Sequence, residues 1–211
     1  MRALKETLSI LSGALQDAWA DIWTVVVCNL AWTVSNILII PGPPATLALF
    51  TYCNRLAHGE IADFSDYWRA FRHQWGPAWR WGAANLVVIG LLIGDFILTG
   101  QLSQSSFARF TQGFYLAALG AWLIVQLYAL AFLNEQTTPS VRQALRNGAV
   151  LLGRNIGFSV ILSILLVFLL VIGAALFMLT LACGGVVVAS AGNRAVINRL
   201  EAQRQAPTEK R

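Results

Sequence analysis

Apolar residues recur at spacings of three and four at Leu4, Leu8, Leu11, Leu15, Trp19 and Ile22, while Lys5, Glu6, Gln16 and Asp17 take other faces. This period predicts an amphipathic helix over residues 1–21, lying at a membrane interface. From Ile22 to Ile40 the chain carries no charge over 19 residues. As a helix that run rises about 28 Å, enough for a hydrocarbon core of roughly 30 Å. Pro41, Gly42, Pro43 and Pro44 then stop it, because proline lacks an N–H and clashes with the preceding turn. The next apolar stretch, Ala45 to Leu56, rises only about 18 Å before Arg55, His58 and Glu60 return the chain to water. Two geometries fit it: a re-entrant hairpin whose break lies within the membrane, or a thinned or tilted full crossing. Both bring the chain back to the side it left.

A second amphipathic pattern covers residues 64–81. Phe64, Tyr67, Trp68, Phe71, Trp75 and Trp79 form its apolar stripe, and Asp66, Arg69, Arg72, His73 and Arg80 lie off it. Aromatic and basic residues mixed in this way predict a helix at headgroup depth, with Arg69, Arg72, Arg80, Trp68, Trp75 and Trp79 as the lipid-headgroup contacts. Residues 82–99 and 114–133 read as spans, separated by a polar loop with Arg109 as its one charge. Residues 135–155 form a polar connector. From Ile156 to Gly192 no charged residue occurs over 37 residues, about 55 Å as a straight helix, so this run folds back, with a turn placed between Leu176 and Gly185. The expected fold is an all-α polytopic transmembrane helical bundle of about six membrane segments, or four full spans plus hairpins. Its parts are the lead-in helix (1–21), the transmembrane domain (22–200) and a polar tail (201–211).

Composition sharpens the membrane reading. Apolar residues make up 57% of the 211 and charged residues 12%, against about 25% charged in a water-soluble domain. The net charge of +5 would raise the question of nucleic acid in a soluble chain. Here the basic residues fall between apolar runs with no nucleic-acid-binding pattern, so anionic lipid headgroups are the expected partner. Fourteen of the fifteen Lys and Arg residues fall on one side of the predicted topology, and only Arg109 falls on the other. That asymmetry places both termini in the cytoplasm. The first residues are interrupted by Glu6, Gln16, Asp17 and Asp21, so they form no signal-peptide core. Cys28, Cys53 and Cys183 are scattered and lie in or beside apolar segments, as buried thiols do. Arg72 and Arg80 recur at an offset of 74 as Arg146 and Arg154, either a weak internal repeat or a property of any basic interfacial helix before a span.

Few residues suggest chemistry. Asp95 is the only acid inside an apolar span, readable as a cation or solute site or as a hydrated carboxylate near the outer surface and Arg109. Asn29 and Asn36, seven residues apart, could line a polar path with it or bond neighbouring helices, the reading that also suits Asn85 and Gln126. Gly113, Ala117 and Ala121 form a small-residue stripe suited to close helix packing, as do Gly185, Ala189 and Gly192. No metalloprotease, phosphate-loop or serine-hydrolase motif is present, and His58 and His73 stand 15 residues apart at interfaces. The expectation is no catalysis, no cofactor and no metal.

The break Pro41, Gly42, Pro43, Pro44, Ala45, Thr46, the helix ending at Arg55 through Gly59 to Glu60, and the segment Phe64 to Arg72 that includes Phe71 together resemble the YesL-like family of bacterial membrane proteins. The pattern is carried by residues 16–80; the rest matches in hydropathy. The resemblance implies a multi-pass protein of the bacterial inner membrane without an assigned activity, associated with carbohydrate uptake. It supplies no catalytic or binding residue. The expected role is a non-catalytic accessory or regulator of carbohydrate uptake, with a transporter complex or self-association as partner. The alternative is a small solute transporter whose path runs by the broken hairpin and Asp95. The topology is checked by single-cysteine labelling in a cysteine-free background: a cysteine at Ser105 reacts with an impermeant reagent added outside, and one at Gln143 does not.

Overall fold

A computed structural model describes residues 2–102, 105–175 and 183–205, and nine helices fill them: α1 (Arg2–Ala20), α2 (Ile22–Ile37), α3 (Gly42–Ala57), α4 (Phe64–His73), α5 (Trp75–Leu102), α6 (Ser106–Asn134), α7 (Val141–Arg154), α8 (Ile156–Ala175) and α9 (Gly185–Gln205). The turn placed between Leu176 and Gly185 falls largely on 176–182, outside the described residues. α5 and α6, of 28 and 29 residues, are long and apolar enough to cross a membrane. α7 and α8 meet at a bend of 102° and together could supply a third crossing. α2 is apolar but has 16 residues, about 24 Å. The protein is thus a helical membrane bundle in which two or three of the expected segments are of spanning length.

The outer halves of α5 and α6 form a hairpin with apolar side chains turned outward. Leu91, Leu102, Phe107, Phe110 and Phe114 are each more than 60% exposed, a surface that lipid would cover. Gly113, Ala117 and Ala121 lie exposed on this part of α6, and a Cβ at Gly113 would touch nothing within 4 Å. The predicted packing stripe therefore finds no helix there. The stripe on α9 does pack: Ala189 is fully buried, and a Cβ on Gly192 would meet Leu127 at 2.8 Å.

At the centre stands α3, which touches α1, α2, α4, α5, α6 and α9. Leu47, Ala48, Leu49, Phe50, Tyr52 and Cys53 on it are buried. A helix that begins inside a bundle must settle its first four N–H groups without water. Here Gly42 donates to the Ile39 carbonyl at 3.0 Å and Ala45 to the Pro41 carbonyl at 2.9 Å, while Pro43 and Pro44 have no N–H to satisfy. The prolines thus break α2 and open α3 without leaving orphan donors. At its far end, Gly59 takes φ +76°, Glu60 donates to the Arg55 carbonyl at 2.9 Å and Gly59 to the Leu56 carbonyl at 2.9 Å. These paired bonds through a left-handed glycine are a Schellman cap.

The sequence left open whether the break lies inside the membrane. Pro43 packs on Gly82, where a Cβ would meet it at 2.9 Å, and Gly82 is only the eighth residue of α5. The hairpin tip lies beside Trp79 to Gly90, and α5 runs on for 12 more residues, about 18 Å, to Leu102. The break therefore packs against the first half of a helix of spanning length, and α3, at 16 residues or about 24 Å, is longer than the about 18 Å expected from the apolar run alone.

The lead-in helix α1 packs antiparallel to α9 and also touches α8, and its Ile10, Ala14 and Ala18 join the common core. Asp17 holds Arg194 through both guanidinium edges, with Nε to Oδ2 at 2.7 Å, and Glu6 bonds Arg199 at 2.8 Å. Asp17 and Glu6, placed on the polar face of a free interfacial helix by periodicity, instead clamp α1 to the bundle.

Ile39 has φ +65°. A β-branched residue in the left-handed region costs roughly 1–2 kcal/mol, and at 74% exposure Ile39 recovers little of that by packing. Ile39→Gly removes the strain and adds chain entropy to the unfolded state, for a net gain on the order of 0.5–1 kcal/mol. Thermal unfolding in detergent should show a higher midpoint for this variant; a lower one would mean that Ile39 packs on something the strain argument omits.

Candidate functional site

The hairpin tip and α5 enclose a cleft of about 420 Å³. Asn36, Ile39, Gly42, Pro43 and Thr46 form one wall, and Trp79, Trp81, Gly82, Asn85, Leu86, Ile89 and Gly90 the other. The tip is fixed by side chains that bridge the break. Trp32 Nε1 donates to Thr46 Oγ1 at 3.0 Å, Thr46 Oγ1 donates to the Gly42 carbonyl at 3.0 Å, and Asn36 Nδ2 donates to the Trp32 carbonyl at 2.8 Å. Asn36 Oδ1 stands close to position 42, where a Cβ would lie 3.1 Å from it and the amide would have to shift.

Behind α5 a polar chain ties the other wall to α6. Gln126 Oε1 accepts from Trp81 Nε1 at 2.7 Å and from Asn85 Nδ2 at 3.1 Å, and Asn85 Oδ1 accepts from Trp122 Nε1 at 3.1 Å. Two N–H groups on one oxygen fix the Gln126 amide orientation. The Gln126 Nε2 is buried without a hydrogen-bond partner. The cleft presents indole faces and amide groups but no charge, so it could take a neutral polar molecule and could not transfer a proton.

A second network closes the opposite end of α3. Asn54 Nδ2 donates to Glu135 Oε1 at 2.7 Å, His58 Nε2 lies 2.8 Å from the same oxygen, and Thr51 Oγ1 lies 2.8 Å from Asn134 Oδ1. Asn193 of α9 donates to the Phe50 carbonyl at 3.1 Å. Periodicity gave no hint of Asn54, Asn134 or Asn193, which come from three distant segments; only their polarity beside apolar runs marked them.

The residues proposed as an intramembrane polar site are dispersed. Asn29 is fully buried on α2, and its Oδ1 accepts from the backbone N–H of Gly185 at 2.8 Å and of Val186 at 3.2 Å, capping α9 from another helix. Asn36 lines the cleft, while Asp95 is exposed on α5, five residues past Gly90 and outside the cleft, with no ion pair to Arg109 among the described residues.

On α4, Asp63 forms a capping box with Asp66. Hydrogen bonds from the Ser65 side chain, then from the Asp66 backbone, hold the Asp63 carboxyl below the usual range. Arg55 binds Glu60 at 2.9 Å and also pairs with Asp66, joining α3 to α4. Phe64, Trp68, Phe71 and Trp75 form a ladder of ring contacts with centroids 5.2–6.4 Å apart, and the Arg72 guanidinium lies 4.9 Å over Trp68. Arg69 and Arg80 are exposed beside it.

The geometry defines a class: a helical membrane bundle built around a proline-broken hairpin of two 16-residue helices. The family model described as "Protein of unknown function, DUF624" matches residues 25–96, just over a third of the chain. The similar segment contains the hairpin, α4 and the cleft-lining part of α5, so it includes both walls of the cleft. No curated protein and no solved structure matches the chain. Among the described residues, no group of three or more His, Cys, Asp or Glu could hold a metal ion.

Gln126→Leu removes the acceptor shared by Trp81 and Asn85 and should cost about 1–3 kcal/mol. In a double-mutant cycle, unfolding of Trp81→Phe, Gln126→Leu and the pair in detergent should give a coupling of about 0.6–2 kcal/mol. Additive effects would mean that this bond contributes nothing to holding the cleft wall.

Proposed function

We propose that the protein is a non-catalytic, multi-pass protein of a bacterial plasma membrane, with both termini in the cytoplasm, and that it serves as an accessory or regulator of carbohydrate uptake. The observation that carries this reading is the aromatic and basic face at the α4–α5 junction. Trp68 and Trp75 are 41% and 38% exposed, and Arg69, Arg72 and Arg80 stand beside them at the start of a helix of spanning length. Amphipathic rings with adjacent guanidinium groups suit the headgroup layer, where each basic residue near an anionic surface contributes about 1 kcal/mol. The same groups suit contact with a permease at that depth. The link to carbohydrate uptake rests on the resemblance of residues 16–80 to the YesL-like family, and the similarity of residues 25–96 to a family without an assigned activity is compatible with it.

A second reading, a small solute transporter, is favoured by the uncharged cleft beside the strained break. Asp95 lies away from that cleft, which argues against its use as a coupling acid.

Purification of the full-length protein in mild detergent from its native membrane tests the two. The accessory reading expects a carbohydrate permease to co-purify and to be lost when Arg69, Arg72 and Arg80 are replaced together by Gln. Asp95→Asn should leave both accumulation and association unchanged. Solute flux in proteoliposomes containing only this protein, abolished by Trp81→Ala, would overturn the accessory reading in favour of the transporter.

A further inference from the structure

Beyond the aromatic face and the hairpin cleft, the ends of α6, α7 and α9 enclose a third site. A recess of about 190 Å³ is lined by Asn147, Arg154 and Arg199, and it adjoins a second of about 340 Å³ lined by Gln136, Thr137 and Thr138. Phe132, Asn147 and Leu200 border both. On α7, Asn147 and Arg154 are seven residues apart, so they share the helix face turned toward α9, about 10 Å from one another along the axis.

The donors here exceed the acceptors the protein supplies. Arg199 is held in place, its terminal nitrogen on Glu6 at 2.8 Å and its guanidinium 4.0 Å over the Phe158 ring, yet its Nε is buried with no hydrogen-bond partner. The Gln136 Oε1 accepts from the Ser140 N–H at 2.7 Å, which leaves the Gln136 Nε2, also buried and unpartnered, as a donor in the adjoining recess. Arg154 has no ion pair among the described residues. Glu135, the acid lining the adjoining recess, is engaged by Asn54 and His58. Leaving a charged buried donor unsatisfied is costly, and a guanidinium with an unused N–H beside a second, unpaired arginine is a usual means of gripping an oxyanion.

We propose that this paired recess binds a phosphate ester of a polyol: the phosphate between Arg154, Arg199 and Asn147, the hydroxyl-bearing part against Gln136, Thr137 and Thr138. The linings suit that division, with the two arginines and Asn147 around the smaller recess and amide and hydroxyl groups around the larger one. The chemistry is shared by a phosphoglycerol lipid headgroup and by a soluble polyol phosphate. Arg154 and Asn147 make no contact with the α4 face, so the site does not rest on the accessory reading.

The test uses the full-length protein at fixed ionic strength, with glycerol 3-phosphate titrated calorimetrically in a neutral detergent. In a parallel arm, the protein in nanodiscs of phosphatidylcholine is compared with nanodiscs containing phosphatidylglycerol, thermal unfolding being the readout. Arg154→Gln and Asn147→Asp, chosen because both side chains are at least partly exposed, should leave the ligand-free unfolding midpoint within a few degrees and weaken binding about tenfold or more. Binding of glycerol 3-phosphate with that loss assigns a soluble ligand. Stabilisation by phosphatidylglycerol alone, lost in the same variants, assigns a lipid headgroup. If neither probe binds, or both variants respond as the unsubstituted protein does, the proposal is overturned.

Discussion

A helix that starts inside a bundle must dispose of its first N–H groups without water, and α3 is such a helix. It lies at the centre and touches six of the other eight helices, so the remaining structure depends on how its two ends are closed. The N-terminal end is solved by subtraction, since Pro43 and Pro44 bring no N–H groups, and the C-terminal end by the left-handed Gly59. Because both ends are settled locally, the sides of α3 are free to pack. Its polar positions Thr46, Thr51, Asn54 and Arg55 find partners on other elements.

The same constraint governs α9. Its first two N–H groups are taken by Asn29, 156 and 157 residues earlier in the chain, so this helix can begin against the middle of α2. Further along, Arg194 and Arg199 are held by Asp17 and Glu6 of α1. Half-buried ion pairs of this kind add little net stability over an apolar replacement, but removing one partner leaves a costly bare charge, so they fix which helix pairs with which. They also change the meaning of the basic tail. Two of its guanidinium groups face protein acids, although all its basic residues count toward orientation, because that rule concerns Lys and Arg and not net charge.

Three places on the molecule offer different chemistry: an aromatic and basic surface on α4, a neutral cleft at the break, and a cationic recess among α6, α7 and α9. The first two fall in the segment similar to other proteins, and the third lies wholly outside it. Each site is also built differently. Consecutive turns of one helix make the α4 face, whereas the cationic recess draws its lining from α6, α7 and α9 together.

How much was legible in the sequence follows from how local each cause is. The break at Pro41 to Pro44, the stop at Gly59 and the aromatic stripe from Phe64 to Trp75 arise from residues a few places apart, and periodicity and proline chemistry are enough to read them; the single helix expected over 64–81 is instead divided at Gln74, so that Trp75 to Trp81 open the spanning helix α5. What stands beside Pro43 at the break was not legible, and Gly82 became visible as that neighbour only in three dimensions. Asn29 looked like interhelical glue and is a cap for a helix far along the chain; Asp95, readable as a solute site or as a hydrated carboxylate, is exposed on α5 outside the cleft. The stripe at Gly113, Ala117 and Ala121 had the right spacing for packing and no helix to pack on. In each case spacing set the face a residue occupies, while only the tertiary structure decided which partner that face meets, because partners distant in sequence are chosen by the packing of whole helices.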